Sequence, residues 1–102
     1  MKRILLASAL LLTAGFTHAA GDAAAGEQKA AACMACHGAG GNSTMPNNPI
    51  LAGQHRSYLV HALKSYKDGT RSNPIMRGMA AGLSEQDIED LAAYFAAQPG
   101  LN

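Results

Sequence analysis

The chain has 102 residues, with eight Lys+Arg against seven Asp+Glu, two cysteines and no tryptophan. That length accommodates one domain, and two cysteines cannot build the disulfide framework on which small secreted cores often depend. The near balance of charge argues against nucleic acid as a partner, which would call for a clustered basic surface.

Lys2 and Arg3 give a positive start, Ile4 to Leu12 form a mostly apolar stretch, and Thr17-His18-Ala19 places small residues at a cleavage point. This is the layout of a secretory signal. The stretch falls short of the about 20 residues that a membrane-crossing helix needs, so export with cleavage after Ala19 is expected and stable membrane insertion is not. Residues 20–102 then make a single domain, and removal of Lys2 and Arg3 leaves six basic against seven acidic residues, a net charge of −1. A domain of this size is marginal on its own core, and a large apolar ligand would relieve the shortage.

Asp22 followed by the alanine-rich run to Ala32 predicts a capped helix leading into Cys33-Met34-Ala35-Cys36-His37. Gly38 to Gly53 is rich in Gly, Asn, Ser and Pro, has no apolar period and reads as a loop. Helical spacing returns over 54–68, where Tyr58, Leu59, Ala62, Leu63 and Tyr66 share one face and Gly69 is a natural stop. Pro74 is expected to open a short turn through Ile75, Met76 and Met79. Ser84 is a good N-cap for a last helix, with acidic residues in its first turns, Leu91, Tyr94 and Phe95 as apolar contacts, and Gln98-Pro99-Gly100 as its end. No stretch alternates convincingly as a strand, so the fold class is all-α, with about four helices.

Cys33 to His37 spell C-x-x-C-H, the attachment sequence of c-type haem. Two thiols at this spacing can add across the two vinyl groups of one porphyrin, which places the adjacent His37 imidazole over one face of the iron. A structural zinc site fails on ligand count. A thiol–disulfide oxidoreductase would set the motif at the start of a helix after a strand, whereas here a helix precedes it. The loop 38–53 must supply a carbonyl for the second ring nitrogen of His37, with Pro46 or Pro49 to hold the backbone. For the other face of the iron, Met34 lies between the anchoring cysteines and Met45 lies close to the proximal side. Met76 and Met79 remain, with His55 and His61 as rivals for a bis-histidine site; His61 falls away from the apolar face of its helix.

With these residues in view, the chain resembles a small bacterial class I c-type cytochrome, similar to one domain of the diheme cytochrome c-four group. The resemblance rests on GDAAAGE, CMACHGAGGNS, the Pro49 to Gln54 segment, YKDGTR and LSEQDIEDLAAYFA, and covers nearly all of residues 20–102. It implies a class I cytochrome c fold around one covalent haem c, anchored by Cys33 and Cys36 and ligated by His37 and Met76, with Met79 left as packing. It also implies that the Pro49 carbonyl accepts from His37 and that the terminal helices cross with Gly26 near Tyr94 and Phe95. Many class I cytochromes place an aromatic on the first helix at this crossing; this helix has alanines there.

Ligation by His and Met leaves no open coordination position, which suits a one-electron carrier more than an enzyme. The expected function is therefore electron transfer in the periplasm between redox partner proteins, with pairing of two copies also admitted. The alternative is a peroxidase-like haem enzyme or sensor with a labile sixth ligand. Lys64, Lys67, Arg71 and Arg77 bias one surface positively, which reads first as a solvated face and secondly as a means of steering an acidic partner.

Overall fold

The computed structural model describes residues 7–9 and 21–100. The signal cleavage point after Ala19 and nearly all of the signal segment lie outside the described residues. Five α-helices follow in order: α1 (Ala23–Lys29), α2 (Ala31–His37), α3 (Arg56–Asp68), α4 (Pro74–Ala81) and α5 (Glu85–Ala97), with a short 3-10 turn at Ala39–Gly41. No strand occurs among the described residues, and no helix there is long and apolar enough to cross a membrane.

Each helix starts or stops for a local reason. The Asp22 side chain accepts from Ala24 N and Ala25 N, which caps α1. Ser84 and Asp87 form a reciprocal capping box at the start of α5. At the end of α3, Gly69 takes the left-handed conformation at φ 83°, as its sequence position suggested.

Two expectations need correction. The first helix does not run unbroken into the cysteines: the backbone tightens at Ala30, whose N–H donates to Glu27 O at 3.3 Å, and the C-x-x-C-H residues form a second helix. The turn expected after Pro74 is a helix of eight residues, because Asn73 caps it and Pro74 supplies a compatible φ at its first position. Each change adds a helix to the three laid out along the sequence, giving five among the described residues against the about four expected for the fold.

Helix α1 crosses α5 at a point with no room for a side chain. A Cβ on Gly26 would stand 2.0 Å from Asp90 O and 2.8 Å from Tyr94 Cβ. Beside the crossing, Asp90 is 3% exposed and accepts from Asp22 N at 2.8 Å, Lys29 Nζ at 2.7 Å and Gln86 Nε2 at 2.9 Å. Lys29 also pairs with Asp87 at 2.8 Å. Ion pairing and backbone contact therefore do at this crossing what an aromatic on α1 would otherwise do. Helix α3 packs on α5, and α4 packs on α3. Ala30, Leu59, Leu91, Ala92, Tyr94 and Phe95 form the buried cluster, with the Tyr94 and Phe95 rings edge to face at 5.0 Å.

Candidate haem site

The loop after α2 folds back onto the motif. Gly41 O accepts from Leu51 N at 2.8 Å and from Ala52 N at 3.2 Å, which closes the loop between them. Gly41 itself has φ 82°, and a Cβ there would meet Phe95 Cδ1 at 2.7 Å, so glycine is required twice over. The closed loop returns Pro49 to α2, where its carbonyl lies 2.7 Å from His37 Nδ1. A carbonyl only accepts, so Nδ1 must carry a proton, and in the neutral ring Nε2 then has the lone pair that a metal needs. His37 is buried, which holds its ring in one orientation.

Cys33, Cys36 and His37 line one cavity, walled also by the apolar face of α3, by Leu91, Ala92 and Phe95 of α5, and by Ile75 and Met76 of α4. All five residues expected on one face of α3, from Tyr58 to Tyr66, reach this wall. Met76 is half-buried, and its N–H donates to Asn73 Oδ1 at 3.0 Å, so the helix cap fixes the backbone that carries the thioether. Met79 is 41% exposed and Met45 61% exposed, and neither is in the wall. Met34 turns toward α5, its sulfur accepting from Gly40 N at 3.4 Å and from Tyr94 Oη at 3.8 Å. His55 and His61 are exposed and lie outside the cavity. Of the sulfur and imidazole candidates weighed for the distal position, the cavity wall contains Met76.

The donor set and the wall fit a haem. Two thiols stand beside an imidazole with its outer nitrogen already engaged, a thioether comes from another helix, and the rest of the wall is largely leucine, alanine and aromatic surface. Leucines facing an open cavity lack partner atoms on one side, and a flat apolar macrocycle would supply them. Burial raises the Cys33 thiol above its ordinary pKa, the reverse of the depressed value on which dithiol redox enzymes depend. The described residues hold no group of three or more His, Cys, Asp or Glu side chains placed to bind a metal ion by themselves.

The wall includes groups that the sequence reading did not place there: Asn47, Asn48, Gln54, Arg71 and Asn73. Asn73 was legible as an Asn-Pro helix start. The positive surface is less free than the sequence suggested. Lys67 Nζ donates to Leu83 O, Arg71 donates to Tyr58 Oη, and Arg77 lies over the end of α3 at Gly69.

Comparison with known proteins gives the family of the chain. The sequence profile described as cytochrome c matches residues 23–98. Cytochrome c4 from Pseudomonas aeruginosa is 54% identical over 101 residues, covering 96% of this chain and 49% of the relative. Cytochrome c-554(548) from Halomonas halodenitrificans is 49% identical over 82 residues, 78% of this chain and 99% of the relative. The crystal structure of reduced recombinant cytochrome c4 from Pseudomonas stutzeri superposes with a TM-score of 0.77 at 48% identity, covering 80% of this chain and 48% of that one. The chain thus spans about half the length of the cytochrome c4 relatives it matches, and nearly the whole of a shorter one. It belongs to the cytochrome c family, whose members carry covalently bound haem c.

Proposed function

We propose that this chain is a periplasmic electron carrier rather than an enzyme, exported with loss of residues 1–19, and that residues 20–102 hold one haem c. In this reading Cys33 and Cys36 form the thioether links, His37 is the proximal ligand and Met76 the distal one. The observation that carries it is the cavity wall itself: it contains one imidazole with its Nδ1 proton given to Pro49 and one methionine, while Met34, Met45, Met79, His55 and His61 stand outside.

Bound at this site, haem c supplies a reversible one-electron iron couple. The residues set its character. His37 is held by the Pro49 carbonyl, which fixes the ring and strengthens it as a ligand. Met76 offers a soft thioether that favours the reduced metal and raises the potential relative to a second histidine. Were His37 of α2 and Met76 of α4 both to hold the iron, a substrate would have to displace one of them. Leu59, Leu63, Leu91 and Phe95 keep water from the wall, which favours the less charged reduced state further. Partners are then other redox proteins, met at the cavity mouth where Cys36, Ile50, Tyr58 and Ile75 are exposed; the same mouth admits pairing of two copies.

The test is spectroscopic. The oxidised holoprotein should show the weak red charge-transfer band of iron–thioether bonding, lost in Met76→Ala and kept in Met79→Ala. The reduced wild type should be slow to bind carbon monoxide, and Met76→Ala fast. Rapid binding by the wild type, or loss of the band in Met79→Ala alone, overturns the assignment.

A further inference from the structure

Burial does little to hold α4. Of its 8 residues Ala80 alone is buried; Ile75 is 73% exposed, Met79 is 41% exposed, and a methyl added at Gly78 would have nothing within 4 Å. Helix α5, by contrast, buries Ile88, Leu91, Ala92, Tyr94 and Phe95. So short a helix with a glycine inside it is not stable by itself in water. Yet it carries Met76, which is half-buried in the cavity wall one turn before Ala80 and on the same face. The start of α4 is secured by one residue. Asn73 Oδ1 accepts from Met76 N at 3.0 Å, and Asn73 O accepts from Arg77 N at 2.8 Å. Pro74, at the first helical position, has no N–H that needs a partner. At the far end Gly82 lacks the left-handed conformation that closes α3 at Gly69, and the carbonyl beyond it, Leu83 O, is reached from α3 by Lys67 Nζ.

We propose that Asn73 is the positioning residue of the distal ligand: its side-chain cap, rather than burial of α4, keeps Met76 in the wall and so keeps the sixth position closed. The proposal rests on the haem reading above. It makes closure a two-state property of one short helix. With the first turn of α4 formed, the thioether stays in the wall; with that turn frayed, it is free to leave. Asn73 is itself exposed, so it acts through its hydrogen bonds and not through packing. Removing a cap side chain shifts such a balance about fivefold. An entering ligand binds the open fraction alone, so its apparent affinity rises by the same factor.

Ser84 provides the control. Its Oγ accepts from Asp87 N at 3.0 Å at the start of α5, so Ser84→Ala loses a cap of the same kind in a helix that carries no iron ligand in this reading. The experiment is a titration of the oxidised holoprotein with imidazole, read as loss of the iron–thioether band, for the wild type, Asn73→Ala, Asn73→Ser, Gly78→Ala and Ser84→Ala. The imidazole concentration at half-displacement should fall about fivefold in Asn73→Ala, and Asn73→Ser, which keeps a capping acceptor, should restore most of it. Gly78→Ala, which favours the helix without touching either residue, should raise that concentration by about two- to fivefold. Ser84→Ala should leave it in place while lowering the denaturant midpoint as Asn73→Ala does. Equal shifts in Asn73→Ala and Ser84→Ala would show an effect of global stability, and no shift in Asn73→Ala with the band intact would show that packing holds Met76; either overturns the proposal. Absence of the band from the wild type would defeat the ligand assignment instead, so the two failures are told apart. Should Asn73→Ala fail to retain haem, the weaker cap of Asn73→Thr and the stiffer helix of Gly78→Ala carry the comparison, and shifts of the same sign, or none, overturn it.

Discussion

Two glycines illustrate how position decides the sign of one substitution. At Gly26 an added methyl would collide with the Asp90 carbonyl and Tyr94 Cβ, neither of which is the free end of a flexible side chain, so α1 and α5 must separate. Gly26→Ala should destabilise the holoprotein by about 3 kcal/mol, the upper part of the usual range for overpacking. Gly78 lies within α4, and a methyl added there would have nothing within 4 Å, so Gly78→Ala gains only the helix preference of alanine. It should stabilise by about 0.5–1 kcal/mol. Denaturant unfolding of both variants checks the pair, and equal signs would contradict it. Helix propensity read from the sequence marks both glycines as weak points; the difference between them comes from Asp90 and Tyr94, of which the family resemblance pointed to Tyr94 and the periodicity to neither.

At the scale of elements, the α1–α5 contact depends on charge as well as on fit. Lys29 first, and then the backbone and side chain of Ser84, hold Asp87 at a pKa of about 2; Lys29 also lowers that of Asp90, while Asp87 and Asp90 raise that of Lys29. A carboxylate whose folded pKa lies below its ordinary value of 3.8 stabilises fully above that value and ceases to do so as pH falls through the folded one. The lysine contributes at all pH values below its ordinary 10.5 and loses its contribution only as pH rises through the raised value. The stability difference between wild type and Lys29→Met should therefore be constant from about pH 5 to 9 and shrink between about pH 4 and 2. A difference unchanged at pH 2 would show that Lys29 acts through packing alone. This ionic contact was hidden in the sequence, because Asp87 and Asp90 sit in an acidic run that reads as ordinary charge at a helix start. The face of α3 was legible, since five residues at helical spacing all serve one wall. Helix α2 was not, since Ala31 to His37 has no apolar period and is ordered by the motif it carries and the loop that closes on it.

The molecule as a whole has two parts that depend on the haem to different degrees. Only Ile88 and Leu91 among the large side chains of the described residues are less than 2% exposed, a thin core for a domain of this size. The α1–α5 crossing is complete without a ligand: it is made of backbone contact at Gly26, the Asp90 hydrogen bonds and the aromatic pair. Helix α3 instead presents Tyr58, Leu59, Ala62, Leu63 and Tyr66 to the cavity, and α4 rests mainly on α3. The sequence signalled this dependence through its length and its alanine-rich, tryptophan-free composition, but not which helices would bear it. Chain produced without haem attachment should therefore keep measurable amide-exchange protection in α1 and α5 and lose it in α3 and α4, since local stability follows buried apolar contact. Its near-UV circular dichroism should be weak and its thermal transition broad, and haem attachment should restore both. Uniform protection across all five helices in the haem-free chain would contradict this division, because it would mean that the leucines of the cavity wall find one another without the porphyrin. Protection confined to α1 and α5 would mean that the terminal crossing forms first and holds α2, with its two thiols, in place for attachment.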